Sequence, residues 1–204
     1  MSKYYENYWQ ALKNRGLDDF HYKWPAIKGL IPKTSKLKIL DFGCGTGDIL
    51  QQVIGINPNS QYLGIDVSSI ALKKAKDRFP KAKFYHIEDG DKIPLKTSSI
   101  DFILMLDVIE HIYNTKSTIK ELYRILKPGG KILLSTPYHG FLKNLILISF
   151  FFEQYFDPES AHIRQYSKKS LVSQLESTGF SVVRFDYFGR FFPVSRAMYV
   201  LAKK

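Results

Sequence analysis

The chain has 204 residues, of which 45% are hydrophobic and 24% are charged. This length and composition predict one soluble globular domain and exclude a disordered or low-complexity chain. Cys44 is the single cysteine, which excludes an internal disulfide and fits a reducing cytoplasm. The N-terminal stretch MSKYYENYWQALKNRGLDDF lacks the apolar core that a signal peptide needs.

The formal net charge of +11 raises the question of a nucleic-acid partner, because basic surfaces attract phosphates. The lysines are dispersed, however, and the densest cluster, Lys73 to Lys83, falls on a predicted helix and the turn after it. A solvated helix face is the simpler interpretation of such a cluster. Nucleic acid is therefore the less favoured partner.

Short apolar runs alternate with amphipathic stretches along most of the chain. The predicted strands are, in order, KLKILDF, QYLGID, KFYHIED, SIDFILMLD and GKILLSTP. Helices are predicted in GDILQQVIG, in SSIALKKAKDRF with Ser68 or Ser69 as its cap, and in TKSTIKELYRILK, which Pro128 and the following glycines end. This alternation predicts a parallel sheet with helices on both faces.

The alternation stops after Pro137, where an aromatic-rich insert begins. The insert's most apolar part, Phe141 to Phe156, has a charge-free centre far shorter than the roughly 20 residues of a membrane span. A helix in SKKSLVSQLESTG and a strand pair in FSVVRFDYF and SRAMYVLAK follow it. The predicted fold is α/β, a Rossmann-like, doubly wound sheet of seven strands, mostly parallel with an antiparallel last strand, and a helical lid insert after strand 5.

Three glycines at alternating positions, Gly43, Gly45 and Gly47, follow the first predicted strand. Glycine weakens strands and helices, so three together indicate a turn where a ligand approaches the backbone beside a helix N-terminus. Asp66 ends the second predicted strand, where a carboxylate can accept hydrogen bonds from both ribose hydroxyls. A nucleoside-containing ligand is predicted. The third glycine stands one place early for the dinucleotide pattern GxGxxG, which disfavours a nicotinamide oxidoreductase.

Four segments, in family order, resemble those of the class I S-adenosylmethionine-dependent methyltransferases. LDFGCGTG resembles the first motif, which cradles the methionine part of the cofactor, and GIDVS resembles the ribose-binding acidic loop. IEDGDKIPLKTSSIDFILMLDVIEHI is similar to the adenine-side loop and fourth strand, and LYRILKPGGKILLSTP to the helix, turn and fifth strand after it. The resemblance implies S-adenosylmethionine as cofactor and S-adenosylhomocysteine as product.

The resemblance also implies the residues of the cofactor site. Those expected along the methionine part are Asp41, Gly43, Cys44 and Gly45, with the cysteine as a small spacer. Those expected at the ribose and adenine are Asp66, Val67, Asp89 and Gly90. Leu106 and Asp107, at the end of the fourth strand, are expected to face the transferred methyl group.

Methyl transfer to oxygen needs a general base, because a neutral hydroxyl is a poor nucleophile. Glu110 and His111 in DVIEHI are candidates, and a histidine titrates near neutrality. The alternative, that both only hold the loop after the fourth strand, stays open. His139 and His162, which flank the insert, are further candidates. No metal site is predicted, because two adjacent side chains do not make one.

The insert occupies the place where this family often builds its acceptor pocket. The side chains that would form an apolar lid there, or belong to the core, are Phe141, Leu145, Phe151, Phe152, Tyr155 and Phe156. Tyr4, Tyr8 and Trp9 are expected to close over the cofactor from the other side. The parts of the predicted single domain, 1–204, are a helical cap at 1–35, a cofactor-binding core at 36–137, the insert at 138–166 and a C-terminal helix and strand pair at 167–204.

The predicted function is methyl transfer to a small-molecule acceptor, with a hydroxyl as the favoured acceptor group. DVIEHI and the insert ending in HIRQYS resemble the ubiquinone-type O-methyltransferase branch and its relatives in sugar and lipid pathways. An apolar insert with a basic surface would allow peripheral contact with an anionic membrane. The alternatives are an RNA methyltransferase, although LDVIEH stands where an Asn/Asp-Pro-Pro-aromatic motif is expected, and a cofactor-binding protein without turnover.

Overall fold

The structure is a computed structural model that describes residues 2–11, 20–34, 36–155 and 160–204. Seven strands form one sheet in the order β3-β2-β1-β4-β5-β7-β6. The strands are β1 (Lys38–Phe42), β2 (Gln61–Asp66), β3 (Lys83–His86), β4 (Ile100–Leu106), β5 (Leu126–Pro137), β6 (Ser181–Phe188) and β7 (Ala197–Lys203). Strands β1 to β5 pair in parallel, whereas β7 is antiparallel to both of its neighbours. The predicted fold class is confirmed.

The helices of the described residues flank this sheet. They are α1 (Ser2–Ala11), α2 (Phe20–Ile27), α3 (Asp48–Ile56), α4 (Ser69–Arg78), α5 (Thr115–Ile125), α6 (Phe141–Phe150), α7 (Phe152–Tyr155) and α8 (Lys168–Glu176). Ser68 caps α4 as predicted, because its hydroxyl accepts a hydrogen bond from the Ala71 amide at 3.2 Å. Ser167 and Ser170 form a reciprocal capping pair at the start of α8.

The core has two layers, one on each face of the sheet. Strand β4 shows why: Phe102 and Leu104 pack on the face of α2 and α3, and Ile103 and Met105 on the face of α5 and α8. All four side chains are buried. A strand covered on both faces has no polar alternation, which explains the unbroken apolar run DFILML.

The end of α5 differs from the prediction. The helix ends at Ile125, before Pro128, and the next residue, Leu126, already pairs with Ile100 of β4. The register with β4 then shifts, so the Pro-Gly-Gly segment forms an irregular stretch within the range of β5. Sheet pairing of Leu126 therefore ends the helix, and the glycines form the irregularity that follows.

Candidate cofactor and active site

A cavity of about 730 Å³ lies at the carboxyl ends of the parallel strands. The ends of β1, β2 and β4 line it through Phe42, Asp66 and Leu106. The strand order reverses between β1 and β4, and such a switch point is where open α/β sheets bind ligands. All ten predicted cofactor-site residues line this cavity: Asp41, Gly43, Cys44, Gly45, Asp66, Val67, Asp89, Gly90, Leu106 and Asp107.

The glycine turn between β1 and α3 has left-handed backbone at all three predicted positions. The φ angles of Gly43, Gly45 and Gly47 are +79°, +49° and +83°. A Cβ on Gly45 would lie 2.5 Å from the Trp9 ring, and one on Gly43 would lie 2.3 Å from Val108. The space that side chains would occupy is thus filled by other parts of the protein, so the protein's own packing already requires glycine at Gly43 and Gly45.

Asp66 fastens this turn to the end of β2. One carboxylate oxygen accepts a hydrogen bond from the Gly45 amide at 2.8 Å, and the other accepts one from the Ser68 amide at 2.9 Å. Each carboxylate oxygen has a second lone pair, so the group can still accept bonds from a ligand in the cavity. Burial raises the pKa of Asp66 despite these bonds.

Asp41 is a buried carboxylate in the cavity wall with an unsatisfied oxygen. Its Oδ2 has no hydrogen-bond partner among the described residues. Burial, followed by the charges of Asp66 and Asp48, raises the pKa of Asp41 to about 7. A buried carboxylate in this position favours a cationic ligand, because positive charge would compensate for its desolvation.

Cys44 is held as a neutral thiol in the same turn. Its side chain is buried, and burial raises its pKa well above the ordinary value, with Asp41 and Asp66 adding to the effect. The thiolate is the nucleophilic form of cysteine, so the high pKa disfavours nucleophilic catalysis by this residue. This agrees with its predicted role as a spacer.

Asp107 directly follows β4 and has its backbone in the left-handed region, at φ +53°. Its carboxylate accepts a hydrogen bond from the Ser135 hydroxyl at 3.0 Å and forms an ion pair with Lys23 of α2. Lys23 also lines the cavity, and the sequence analysis missed it. Lys23 is far from Asp107 along the chain, and the sequence does not show where α2 packs. No local sequence pattern could therefore predict this ion pair.

His111 and His162 lie next to each other in the wall of the cavity. Their ring centroids lie 4.9 Å apart, and both residues line the cavity. The Nδ1 atom of His111 lies 2.8 Å from the Ala161 carbonyl oxygen, an acceptor that assigns the proton to Nδ1 and leaves the lone pair on Nε2. Burial lowers the pKa of both histidines, so both are neutral near pH 7.

Glu110 lies behind these histidines and is not among the cavity-lining residues. Its backbone carbonyl accepts the amides of Ile163 and Arg164, and its Oε2 accepts the Thr136 hydroxyl at 3.0 Å. Its Oε1 has no hydrogen-bond partner among the described residues, and burial, with Asp107 next, raises its pKa to about 8. Glu110 therefore joins the end of the insert to the turn after β4. These contacts agree with the alternative that Glu110 holds the loop after the fourth strand.

The side-chain ligand atoms of Glu110, His111 and His162 all lie within 4.8 Å of one another. Such a set of one carboxylate and two imidazoles can hold a divalent cation. The sequence showed only the adjacent pair, because His162 is far away along the chain. The structure supplies a third possible ligand that the motif alone did not contain.

The remaining predicted side chains divide between the cavity and the outer surface. His139 does not line the cavity; its Nδ1 lies 2.6 Å from the hydroxyl of Tyr155, which does. The other described lid candidates, Phe141, Leu145, Phe151 and Phe152, are exposed and do not line the cavity, so the alternative that they belong to the core is wrong. Phe156 lies outside the described residues.

Helix α1 forms a wall of the cavity through Tyr4, Tyr5, Tyr8 and Trp9, of which the sequence analysis named three. Glu6 attaches this helix to the start of α4. Its carboxylate accepts hydrogen bonds from the Ser69 amide and hydroxyl at 2.7 Å, and from the Ser68 hydroxyl at 2.9 Å. The Ser69 hydroxyl is the main cause of a pKa lowered to about 2. Glu6 was missed, since its partners lie more than 60 positions away.

The cavity fits S-adenosylmethionine in its chemistry. The unsatisfied carboxylate oxygen of Asp41 suits a cationic amino-acid moiety, and Asp66 suits ribose hydroxyls. The cavity volume lies within the usual range of roughly 300–1,000 Å³ for small-molecule sites. A class I S-adenosylmethionine-dependent methyltransferase is the class that this fold and this site define.

Residues 8–184 match the model of the family described as "Methyltransferase domain", so the chain belongs to that family. It is 27% identical over 180 residues to a probable S-adenosylmethionine-dependent methyltransferase of Mycolicibacterium smegmatis, covering 87% of this chain and 61% of that protein. It is 29% identical over 117 residues to the ubiquinone/menaquinone biosynthesis C-methyltransferase UbiE of Geotalea daltonii, covering 53% of this chain and 50% of that protein. The chain thus spans one half to three fifths of these relatives.

Solved structures confirm the fold. A chain of the complex that contains the Haloferax volcanii Trm112 methyltransferase activator superposes with a TM-score of 0.77 at 17% identity, covering 98% of this chain and 96% of that one. Family and fold imply S-adenosylmethionine as the cofactor, so the predicted class, enzyme type and cofactor are confirmed.

Proposed function

We propose that this protein transfers the methyl group of S-adenosylmethionine to a hydroxyl group of a small molecule. The observation that carries the proposal is the position of His111 and His162, two neutral histidines in the wall of the cavity that also contains Asp41 and Asp66. A hydroxyl acceptor needs a group that takes its proton, and neutral imidazole is suited to this near pH 7.

His111 is the proposed general base. Its Nδ1 is committed to the Ala161 carbonyl, so its Nε2 can accept the acceptor's proton. The Tyr5 ring packs edge-on against the imidazole, with ring centroids 5.7 Å apart, and restricts its rotation. Glu110 is the proposed positioning residue, because its Oε2 accepts the Thr136 hydroxyl at 3.0 Å and its Oε1 lies 4.0 Å from the Nε2 of His111.

The proposed roles in the cofactor half follow from charge and hydrogen-bonding capacity. Asp41 would hold the amino group of the methionine part, and Asp66 the ribose hydroxyls. Bound S-adenosylmethionine supplies an electrophilic methyl group and leaves as a neutral thioether. Asp107 and Lys23 form an ion pair beside the site, and we assign them to orienting the acceptor relative to the end of β4.

Labelled-methyl transfer tests this proposal. Purified protein is incubated with S-adenosylmethionine carrying an isotopic label in the methyl group, and with phenolic quinone precursors, sugars, hydroxylated lipids, bulk RNA or a protein extract. We expect label in a hydroxylated small molecule as a methyl ether, and loss of that transfer in His111→Gln. Label on carbon, in RNA or in protein would overturn the acceptor assignment while leaving the methyltransferase assignment intact.

Treatment with a chelator distinguishes two mechanisms at the same three side chains: deprotonation of the acceptor by His111 as a base, and activation of the acceptor by a bound cation. With His111 as a base, activity persists after treatment with EDTA. Loss of activity that Mg²⁺, Mn²⁺ or Zn²⁺ restores would instead assign Glu110, His111 and His162 to a cation that activates the hydroxyl. The measurement therefore decides how the acceptor is deprotonated.

A macromolecular acceptor is the second candidate function. The structural neighbour from Haloferax volcanii belongs to a complex with a methyltransferase activator, and this chain is basic, with a net charge of +11. The dispersed lysines and the absence of an Asn/Asp-Pro-Pro-aromatic motif after β4 favour the small-molecule acceptor. The RNA and protein arms of the labelling experiment test this candidate directly.

A further inference from the structure

Helix α6 has no buried residue, although its sequence, FLKNLILISF, is mostly apolar. Phe141 at its start is 81% exposed and Phe150 at its end is 77% exposed. The other exposed apolar side chains of the helix are Leu142, Leu145, Ile146 and Ile148. A surface helix of a globular protein ordinarily packs its apolar side inward.

The side of α6 that faces the protein is formed by Lys143, Asn144 and Leu147, the three partly buried side chains of this helix. Lys143 donates hydrogen bonds to the carbonyl oxygens of Tyr138 at 2.7 Å and Arg196 at 3.3 Å. Asn144 accepts one from the Tyr155 hydroxyl at 3.1 Å. At roughly 100° per residue, the exposed apolar side chains cover about 200° of the helix circumference. The helix therefore turns Lys143, Asn144 and Leu147 toward the protein and leaves a wide, mostly apolar side exposed.

A second exposed apolar segment adjoins α6. In the connection between β6 and β7, Phe191 is 77% exposed and Phe192 is 62% exposed. The Phe192 ring contacts the Tyr138 ring at a centroid distance of 6.4 Å, and the Tyr138 carbonyl receives Lys143 of α6. We call α6 together with residues 191–192 the apolar surface. Exposed apolar side chains grouped on neighbouring segments in this way mark an interaction site.

Basic side chains accompany the apolar surface. Lys143 lies on α6, Arg190 precedes the two phenylalanines, and Arg196 follows them; both arginines are exposed. The Lys143 ammonium donates to the Arg196 carbonyl at 3.3 Å, and the charges of Arg190 and Arg196 add to burial in lowering the pKa of Lys143. Glu153 of α7 is the exposed acidic group on the neighbouring described element. The local charge is thus positive, like the chain's net charge of +11.

We propose that the apolar surface inserts into the headgroup region of an anionic lipid bilayer and holds the protein there as a peripheral anchor. Apolar and aromatic side chains with adjacent cations are the composition of segments that lie in the plane of such an interface. Helix α6, at ten residues, is too short to cross a bilayer, and no helix among the described residues is long and apolar enough to do so. The proposal concerns the protein's location and does not depend on the acceptor.

Vesicle cosedimentation tests the anchor. The probes are vesicles of equal parts phosphatidylglycerol and phosphatidylcholine, and vesicles of phosphatidylcholine alone. The test variant is the triple substitution Phe141→Ser, Leu145→Ser and Phe150→Ser, whose side chains are all at least half exposed. Val183→Ser, at 54% exposure on β6, is the matched control for loss of an exposed apolar side chain elsewhere.

We expect the unmodified protein and Val183→Ser to bind the anionic vesicles, with binding weakened by salt. The triple variant should bind at least about tenfold more weakly. Arg190→Gln should bind about fivefold more weakly, as expected for one cation at an anionic surface. Calorimetric binding of S-adenosylhomocysteine should be the same in all variants, which separates failure of the anchor from failure of the cofactor site.

Two results would overturn the proposal. One is equal recovery of the triple variant and the unmodified protein with anionic vesicles. The other is self-association, measured by analytical ultracentrifugation, that the triple substitution abolishes while vesicle binding is absent. That second result would assign the apolar surface to another copy of this chain instead of a bilayer.

Discussion

The proposed cofactor half and the proposed acceptor half of the cavity are built in different ways. The cofactor half consists of short contiguous segments at the ends of β1 and β2, held by backbone hydrogen bonds such as that from the Gly45 amide to Asp66. The acceptor half is assembled from α1, α2, the turn after β4 and the far end of the insert, through side chains such as Tyr5, Lys23 and His162. Substitutions in the cofactor half should therefore change cofactor affinity, whereas substitutions in the acceptor half should change the rate of methyl transfer.

The largest expected effect is that of His111→Gln on turnover. Removal of a general base typically lowers a rate by about 10²- to 10⁴-fold, and we expect kcat to fall by that amount. The affinity for S-adenosylhomocysteine, measured by calorimetric titration, should stay within about twofold, because His111 lies in the acceptor half. A large loss of cofactor affinity would remove the division between the two halves.

Asp66→Asn should have the next largest effect, and that effect should be on cofactor affinity instead of turnover. Hydrogen bonds to a charged group contribute about 1.5–3 kcal/mol, so we expect S-adenosylhomocysteine to bind roughly tenfold to hundredfold more weakly. Asp101→Asn is the matched control, because Asp101 lies at the opposite end of β4 and bonds Lys38 and Lys127. Calorimetric titration of both variants should show the loss in Asp66→Asn alone.

Gly45→Ala tests whether the turn is defined by the protein's own packing. Left-handed backbone and a Cβ 2.5 Å from Trp9 should together lower the free energy of unfolding by about 1–3 kcal/mol. Gly55→Ala in α3 meets no atom within 4 Å and should raise it by up to about 1 kcal/mol. Urea unfolding of the two proteins without cofactor measures both values, and an unchanged Gly45→Ala protein would contradict the packing explanation.

The smallest expected effect is proton release on cofactor binding. The folded-state pKa of Asp41 is raised to about 7, so the carboxyl is largely protonated at pH 6.5. A cationic ligand favours the carboxylate, so binding of S-adenosylhomocysteine at pH 6.5 should release roughly half a proton or more. Titrations in buffers of different ionisation enthalpy measure this release, and Asp41→Asn should abolish it.

The same pKa determines how stability depends on pH without cofactor. Because the folded-state pKa of Asp41 lies above its ordinary value of 3.8, its stabilising contribution is complete below about pH 4 and is lost as the pH rises to about 7. Glu110, raised to about 8, acts in the same direction from its ordinary value upward. The melting temperature of Asp41→Asn should therefore fall less between pH 4 and pH 7 than that of the unmodified protein.

The sequence predicted those parts of the molecule that short local patterns encode. The apolar runs predicted β1 to β7, and the short segment from Asp41 to Gly47 predicted one wall of the cavity. Local patterns missed what depends on docking between distant segments. The Lys23–Asp107 ion pair joins residues more than 80 positions apart, and the contacts of Glu6 with Ser69 join residues 63 positions apart.

The insert shows a second reason for the difference. Its apolar residues left a lid and a core role open, and a core role is the ordinary outcome for an apolar helix in a globular protein. In the structure the side of α6 toward the protein is formed by Lys143, Asn144 and Leu147, with hydrogen bonds made by the two polar residues, and Phe141 and Phe150 are exposed. Composition alone cannot give the direction in which an apolar face points when backbone carbonyls, such as that of Tyr138, provide partners for the polar face.

The left-handed backbone of Asp107 limits how this position can change during evolution. At φ +53°, aspartate, asparagine and glycine are tolerated, whereas larger or β-branched residues are strained. A substitution by asparagine would keep the end of β4 in place while removing a negative charge from the site. The charge at this position can therefore change while the shape of the strand end is preserved. In a library randomised at Asp107, we expect asparagine and glycine to be the most frequent substitutions among the variants that fold.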